Sequence, residues 1–96
     1  MIQSFADDTT ADLFRERNTR VARRVPGDIW PVVQRKLKAL DVAARLEDLA
    51  IPAGERLEAL KGDQAGRYSI RVNDQYRVRF RWEQGHAYEV HVEDYH

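Results

Sequence analysis

The last third of the chain alternates apolar and polar residues with a period of two. In residues 67–72, 76–82 and 88–92 the even-numbered positions are apolar and the odd-numbered positions are polar. Alternation over this length is typical of a β-strand with one buried and one exposed face. Asn73-Asp74 and Gln84-Gly85 separate the three runs and indicate turns. The pattern predicts a three-stranded antiparallel meander.

The middle of the chain has a helical period instead. Apolar residues recur there at steps of three and four, in the order Ile29, Val33, Leu37, Leu40 and Ala44. Such a stripe covers one face of a helix. Asp28 is a suitable N-cap, and Pro31 is tolerated in the first turn, where its missing N–H would have no partner. The pattern predicts the main helix here, with Leu46 and Leu49 in a further turn before Pro52-Ala53-Gly54 ends it.

The first quarter of the chain predicts a strand followed by a short helix. Residues 2–5 are a short apolar stretch, and residues 7–10 are good N-cap residues. Residues 18–27 contain three arginines and end in Pro-Gly, which indicates an exposed basic connection. Residues 54–66 form a polar segment anchored by Leu57 and Leu60. We therefore expect an α+β fold, with an N-terminal strand and two main helices packed on one face of a small antiparallel sheet.

The bulk composition limits the class of protein. A chain of 96 residues has interior for one core, so residues 1–96 are expected to form a single domain. The sequence contains no cysteine, which excludes a disulfide framework. No stretch resembles a secretory signal or a membrane span, so we expect a cytoplasmic location without membrane contact.

Charge is balanced overall but unevenly distributed. The formal net charge is zero, yet the sixteen basic residues comprise thirteen arginines and three lysines. A guanidinium can grip phosphate through two parallel hydrogen bonds, which an ammonium cannot do. A local basic surface is therefore expected in a chain without net charge.

The alternation places a set of polar side chains on the exposed face of the predicted sheet. That set comprises Arg67, Arg71, Arg77, Arg79, Arg81, Glu89, His91, Glu93 and Tyr95. Five guanidiniums opposite two carboxylates leave a surplus of cations, which suits an RNA phosphate. The alternative is that Arg77, Arg79 and Arg81 only pair across the strands with Glu89 and Glu93, each pair contributing about 0.2–1 kcal/mol to sheet stability. Both explanations remain open for any single arginine.

Two further groups carry side chains that can transfer protons or offset charge. The last three residues are Asp94, Tyr95 and His96, and Lys61 precedes Gly62 in the polar segment. The alternative interpretations are a frayed terminus and a solvated lysine in a turn.

Three stretches of the sequence together resemble one known family. These are Leu57-Glu58-Ala59-Leu60-Lys61-Gly62-Asp63, residues 66–78 (Gly-Arg-Tyr-Ser-Ile-Arg-Val-Asn-Asp-Gln-Tyr-Arg-Val) and the terminal Glu93-Asp94-Tyr95-His96. They are similar to HigB-type toxins of the RelE/ParE superfamily, which belong to type II toxin-antitoxin systems. The resemblance also extends to residues 1–5 and 36–41 and thus spans essentially the whole chain.

The resemblance implies a ribosome-dependent endoribonuclease, an mRNA interferase that cleaves messenger RNA in the decoding site of the 30S subunit. The ribose 2'-hydroxyl attacks the adjacent phosphorus, and neither a metal nor another cofactor is implied. The enzyme must deprotonate that hydroxyl, stabilise the phosphorane and protonate the leaving 5'-oxygen.

Residues matching the family's active site are Lys61, Arg77, Asp94, Tyr95 and His96. We assign Arg77 to the scissile phosphate and His96 to proton transfer, because imidazole titrates near neutral pH. Tyr95 would orient the 2'-hydroxyl or stack on a base, Asp94 would orient His96, and Lys61 would offset phosphorane charge. Further RNA contacts are expected from Arg67, Arg71 and Arg79, with His91 as an additional candidate.

Glu58 departs from the pattern of the resemblance. Some members of this branch have a histidine at the position of Glu58. Glu58 would act as a base if burial raised its pKa, and otherwise it is a surface carboxylate. Cleavage by this chain is consequently expected to be slow.

The resemblance also implies partners. A HigA-like helix-turn-helix antitoxin is expected, in a complex of two toxin and two antitoxin chains. Contacts to antitoxin or ribosomal RNA could come from the exposed arginines Arg15, Arg17, Arg20, Arg23 and Arg24, which otherwise form a solvated loop. Two alternatives lack catalysis, namely a ParE-like toxin that inhibits DNA gyrase and a module whose arginine face binds an acidic protein.

Overall fold

The computed structural model describes residues 1–49 and 57–95. The predicted helix end at Pro52-Ala53-Gly54 and the side chain of His96 lie outside these residues. Among the described helices, none has both the length and the apolar content that a bilayer crossing needs.

The first helix, α1, spans Asp8–Phe14 and begins where the sequence predicts it. The Asp7 carboxylate is its N-cap and accepts a hydrogen bond from the Thr10 N–H over 2.9 Å. Leu13 is fully buried in the core. The Thr10 side chain is also fully buried, and its hydroxyl oxygen accepts a hydrogen bond from the Val92 N–H over 3.0 Å. This bond ties α1 directly to the last strand.

The basic connection after α1 is partly buried, whereas the sequence predicted an exposed one. Residues Ala22–Arg24 form a 3₁₀ turn, and Ala22 and Val25 are buried rather than exposed. The Thr9 hydroxyl donates to the Val21 carbonyl over 2.9 Å, which attaches the connection to α1. The five arginines of this region are exposed.

The main helix, α2, spans Trp30–Val42. Pro31 lies in its first turn as predicted, but the N-cap is Ile29 and not Asp28, because Gly27–Ile29 first form a separate 3₁₀ turn. Val33, Leu37 and Leu40 of the predicted stripe are fully buried.

The predicted helix is too long at its C-terminal end. Ala43 is extended, with φ −66° and ψ 130°, so Ala44 leaves the stripe and is exposed. Residues Leu46–Leu49 form a separate 3₁₀ turn. The Asp48 carboxylate accepts hydrogen bonds from the Ala44 and Arg45 N–H groups over 3.0 and 3.1 Å, and these bonds lower the pKa of Asp48. The Asp48 side chain thus binds backbone N–H groups at the end of α2 and competes with continuation of that helix.

The described strands form one antiparallel sheet in the order β1-β2-β3-β4. Their bounds are Leu57–Ala59 for β1, Arg67–Arg71 for β2, Tyr76–Glu83 for β3 and His86–Asp94 for β4. The last three strands are the predicted meander. The short edge strand β1 was not predicted, because three residues with an exposed Glu58 carry no recognisable alternation.

The predicted N-terminal strand is reduced to two parallel bridges on the edge of β4. Ile2 pairs with Ala87 and Phe5 pairs with Val90. The Gln3 N–H donates to the Ala87 carbonyl over 2.7 Å, and the Ala6 N–H donates to the Val90 carbonyl over 2.9 Å. This segment extends the sheet on the side opposite β1.

A β-bulge in β4 changes the predicted alternation. Arg79 pairs with His91 and Arg81 pairs with Tyr88, so β4 carries one extra residue between these pairs, and Glu89 has a positive φ of 54°. Beyond the bulge the inward position falls on Ala87, which is fully buried. The predicted inward orientation of Tyr88 is therefore wrong.

The helices and the inward face of the sheet enclose one core. Leu13 of α1 and Leu37 of α2 lie in the same buried cluster as Ile70, Val78 and Phe80 of the sheet. With the helices on this face, the opposite face of the sheet is left for polar side chains.

Candidate functional site

The polar face of the sheet carries five arginines, which we call the basic face: Arg67, Arg71, Arg77, Arg79 and Arg81. They form rows because their strands are in register. Arg71 pairs with Arg77, which pairs with Glu93. The next row contains Glu58, Ser69, Arg79 and His91. The third contains Arg67, Arg81 and Tyr88, so the predicted gathering of arginines on one face is confirmed.

The predicted surplus of cations is smaller than expected, because every arginine of the basic face lies beside a carboxylate. The ion pairs are Arg67 with Glu89, Arg71 with Asp74, Arg81 with Glu83, and Arg77 and Arg79 together with Glu93. The alternation placed only two carboxylates, Glu89 and Glu93, on this face, and it did not predict Asp74 and Glu83 as partners. The alternative of cross-strand pairing is thus correct for Arg77 and Arg79, and it is wrong for Arg81, whose partner Glu83 lies on the same strand.

Arg77 and Arg79 differ from the other three because they share one carboxylate. Their Nε atoms lie 3.0 and 3.4 Å from the same oxygen, Oε1 of Glu93. Two guanidiniums and one carboxylate leave one net positive charge. The Glu93 side chain is only 14% exposed, whereas the acids paired with Arg67, Arg71 and Arg81 are 48%, 91% and 60% exposed. The Arg77–Arg79–Glu93 cluster is therefore a partly buried cationic centre.

The Tyr95 ring packs against Arg77 on one side of this cluster. The Arg77 guanidinium lies over the Tyr95 ring, 5.1 Å from its centroid. The Tyr95 hydroxyl donates to the Asn73 carbonyl over 3.1 Å, and the Tyr95 N–H donates to the Gln75 carbonyl over 3.0 Å. The frayed-terminus alternative is therefore wrong for the chain as far as Tyr95.

Asp94 is the last residue of β4 and pairs with Tyr76. Its Oδ2 accepts a hydrogen bond from Gln75 Nε2 over 2.9 Å. The predicted role of Asp94 in orienting His96 falls outside the described residues.

Glu58 lies beside Arg77, although 19 positions separate the two in sequence. A small pocket open to solvent is lined by Glu58, Ser69, Arg71, Arg77 and Tyr95. Glu58 is itself exposed and Ser69 is buried. The alternation places Ser69 on the polar face but does not single it out, and the pairing of Ser69 with Glu58 and Arg79 brings it into the site.

Lys61 follows β1 and precedes the 3₁₀ turn Gly62–Gln64, and it is exposed. Its neighbour Leu60 donates its N–H to the Arg67 carbonyl over 2.9 Å. In the described part of the chain no hydrogen bond or ion pair joins Lys61 to the Arg77–Arg79–Glu93 cluster.

His91 lies on the other side of the cluster, opposite Arg79 on β4. Its Nε2 is 3.3 Å from Oδ2 of Asp7, the residue whose other oxygen caps α1. The edge of the basic face is thus attached to the N-terminus of α1.

The ion pair between Arg67 and Glu89 is a second electrostatic feature of the basic face. The pKa of Glu89 is lowered because the Arg67 guanidinium donates a hydrogen bond to it and adds a favourable charge. The lowered pKa favours the ionised form of Glu89, which pairs with Arg67.

The fold and the basic face define a small α+β protein with a cationic sheet surface, and comparison with known proteins assigns its class. Residues 3–96 match the family model described as the RelE-like toxin of type II toxin-antitoxin system HigB. The chain belongs to this HigB-like toxin family.

Individual relatives agree with the family match. The chain is 44% identical over 71 residues to Toxin HigB-1 of Vibrio cholerae, covering 74% of this chain and 75% of that protein. It is 33% identical over 96 residues to Endoribonuclease HigB of Proteus vulgaris, covering all of both chains. A chain of the YoeB-YefM complex from Staphylococcus aureus has the same fold, with a TM-score of 0.57 at 17% identity over 100% of this chain and 98% of that one.

Proposed function

We propose that this protein is a ribosome-dependent endoribonuclease that cleaves messenger RNA and thereby inhibits translation and growth. The observation that carries the proposal is the Arg77–Arg79–Glu93 cluster, which holds one net positive charge on the polar face of the sheet. The full-length match to Endoribonuclease HigB of Proteus vulgaris supports the same reaction.

The proposed reaction is the one that the family resemblance implies, and the basic face supplies charged groups for it. The ribose 2'-oxygen attacks the adjacent phosphorus, its proton passes to a base, and the bond to the 5'-oxygen breaks as that oxygen gains a proton. The products are a 2',3'-cyclic phosphate and a 5'-hydroxyl. Nε of Arg77 and Nε of Arg79 both lie against Oε1 of Glu93. Their remaining N–H groups are proposed to stabilise the negative charge that develops on phosphorus-bound oxygens.

Proton transfer is assigned to the end of the chain. His96 is the proposed proton carrier and Asp94 its orienting partner, while Tyr95, held against Arg77, positions the 2'-hydroxyl or stacks on a base. Lys61 is proposed to approach the phosphate when RNA is bound. Glu58 adds a carboxylate to the same pocket as Arg77 and Tyr95.

The partners of the proposed reaction are the 30S decoding site and the messenger RNA bound there. We therefore propose a cytoplasmic location. We also propose a HigA-like helix-turn-helix antitoxin as its partner, in a complex of two toxin and two antitoxin chains, because the family comprises toxins of type II toxin-antitoxin systems. Light scattering of the co-purified complex measures this stoichiometry.

A ParE-like gyrase inhibitor is the second candidate function. No feature of the basic face favours it, and the matching family is the HigB-like one.

The test is cleavage of a defined messenger RNA with and without ribosomes. We expect cleavage only with ribosomes, with 2',3'-cyclic phosphate and 5'-hydroxyl ends, and a large loss of rate for His96→Ala. Intact RNA under both conditions, together with inhibition of gyrase, would replace this proposal with the ParE-like one.

A further inference from the structure

The connection between α1 and α2 carries positive charge that its surroundings do not neutralise. Residues 15–24 contain five arginines and a single carboxylate, Glu16, which leaves four positive charges in excess. Arg17, Arg20 and Arg24 are exposed, and none of them has an ion pair within residues 1–49 and 57–95. On the basic face, in contrast, every arginine lies beside a carboxylate. Unneutralised positive charge is therefore denser in this connection than on the basic face.

A pocket with an apolar surface opens beside these arginines, and we call it the Trp30 pocket. It is lined by Asn18, Arg23, Val25, Gly27 and Trp30. The indole Nε1 of Trp30 donates a hydrogen bond to the Val25 carbonyl over 2.7 Å, so the partly buried ring is held in place. Because its only donor is already used, the ring offers apolar surface to a bound molecule.

Arg23 places a positive charge at the edge of the Trp30 pocket. Its Nη1 donates to Oδ1 of Asn18 over 2.9 Å, which positions the guanidinium without neutralising it, because the acceptor is an uncharged amide. On another side of the pocket, a Cβ atom added to Gly27 would meet no atom within 4 Å. The pocket thus combines an aromatic surface, a positioned guanidinium and open space for a side chain.

We propose that the Trp30 pocket binds an acidic segment of the antitoxin, with one apolar side chain against Trp30 and carboxylates against Arg23 and the neighbouring arginines. The proposal rests on the toxin-antitoxin function proposed above. Tryptophan and arginine are the residues that most often dominate the binding energy of protein interfaces. A carboxylate also matches the guanidinium fork, since it accepts two parallel hydrogen bonds from it.

RNA is the competing ligand for a basic surface. Phosphates would use the positive charge of the connection but would leave the Trp30 pocket empty. An acidic segment with an apolar side chain uses the charge and the pocket together, as protein interfaces do when a polar rim surrounds an apolar centre. The combination of the two features therefore favours a protein segment.

The first test measures the dissociation constant of the toxin and its purified antitoxin by isothermal titration calorimetry. Arg23→Glu combined with Arg24→Glu should weaken binding by at least about tenfold, because it places carboxylates against carboxylates. Wild-type affinity should fall as the salt concentration rises, and the double variant should depend less on salt. Arg35→Glu, a charge reversal at an exposed position of α2, is the control and should change the affinity less than about twofold.

A second variant tests the pocket without changing any charge. Gly27→Phe fills the open space beside Trp30, and the space around Gly27 allows the protein to fold. It should also weaken binding by at least about tenfold, because the apolar side chain of the antitoxin loses its place. Fluorine NMR of toxin labelled with fluorotryptophan gives an independent readout. Unlabelled antitoxin should shift the Trp30 signal more than the Trp82 signal.

Ribosome-dependent cleavage by the Arg23→Glu and Arg24→Glu double variant distinguishes the two ligands. We expect cleavage at the wild-type rate. Loss of cleavage with unchanged antitoxin affinity would assign this surface to ribosomal RNA and overturn the proposal. Wild-type affinity in both the double variant and Gly27→Phe would overturn it as well.

The binding measurements need no ribosomes, so they separate this proposal from the nuclease reaction. A toxin that binds antitoxin through the Trp30 pocket but cleaves no RNA removes the reaction and keeps the pocket. A toxin that cleaves RNA, but whose antitoxin affinity is insensitive to both variants, removes the pocket and keeps the reaction.

Discussion

Nε of Arg77 donates a hydrogen bond to Oε1 of Glu93 over 3.0 Å across the β3–β4 ladder. The same oxygen lies 3.4 Å from Nε of Arg79. Glu93 therefore fixes the spacing of two guanidiniums that would otherwise repel each other, and it leaves them one positive charge in excess.

Glu93→Gln should lower the free energy of unfolding by about 1–3 kcal/mol, because a partly buried charge-assisted hydrogen bond is replaced by a weaker neutral one. Urea denaturation measures the change. Glu83→Gln is the matched control, since the Glu83 side chain is 60% exposed and its pair with Arg81 should contribute less than about 1 kcal/mol. Equal losses for the two variants would contradict the assigned importance of Glu93.

Arg67→Gln should raise the pKa of Glu89 towards its ordinary value of 4.5, because the hydrogen bond from Arg67 is the main cause of the lowered pKa. A lowered folded pKa stabilises the protein above the unfolded pKa, and that stabilisation is lost as the pH falls through the folded pKa. The variant should therefore show a smaller loss of stability below pH 4.5 than wild type. NMR titration of the Glu89 carboxyl group measures the shift, and an unchanged pKa would contradict the pairing.

Thr10→Val should destabilise the fold by about 1–3 kcal/mol, because the Val92 N–H loses its acceptor in a buried position. Thr10→Ser keeps the hydroxyl and should retain most of the stability. Thermal or urea unfolding of the two variants tests the link between α1 and β4. A Thr10→Val variant as stable as wild type would show that the hydrogen bond to Val92 contributes little.

Asp7→Asn and Asp7→Ala separate the two contacts of Asp7. Asparagine caps a helix about as well as aspartate, so Asp7→Asn should remove only the charge that faces His91. Asp7→Ala also removes the cap and should cost about 0.5–2 kcal/mol more. Equal stabilities of the two variants, measured by urea denaturation, would show that the cap contributes little.

The meander and both helices were predictable because their patterns are local. A period of two identified β2, β3 and most of β4, and a period near 3.6 identified Val33, Leu37 and Leu40 as core. The C-terminal end of α2 was not predictable from the stripe alone, because the Asp48 cap competes with further helix.

The errors in the candidate site come from contacts that strand alternation does not encode. Arg67, Arg71, Arg77 and Arg79 were correctly placed on one face, but partners from turns, such as Asp74, are not visible in an alternation. Tyr88 was placed on the wrong face because one extra residue at the bulge reverses the alternation beyond it. Gln64 comes from a segment without a recognisable strand pattern, and only the folded chain brings it beside Arg67 and Arg79.

The central claim is that the Arg77–Arg79–Glu93 cluster binds the scissile phosphate. Its most direct test is the single-turnover rate of messenger RNA cleavage on the ribosome by Arg77→Ala, compared with Arg35→Ala, an exposed arginine of α2. We predict a loss of about 100-fold or more for Arg77→Ala, the scale of losing a group that stabilises transition-state charge, and a rate within about twofold of wild type for Arg35→Ala. A folded Arg77→Ala variant that cleaves at the wild-type rate would contradict the account.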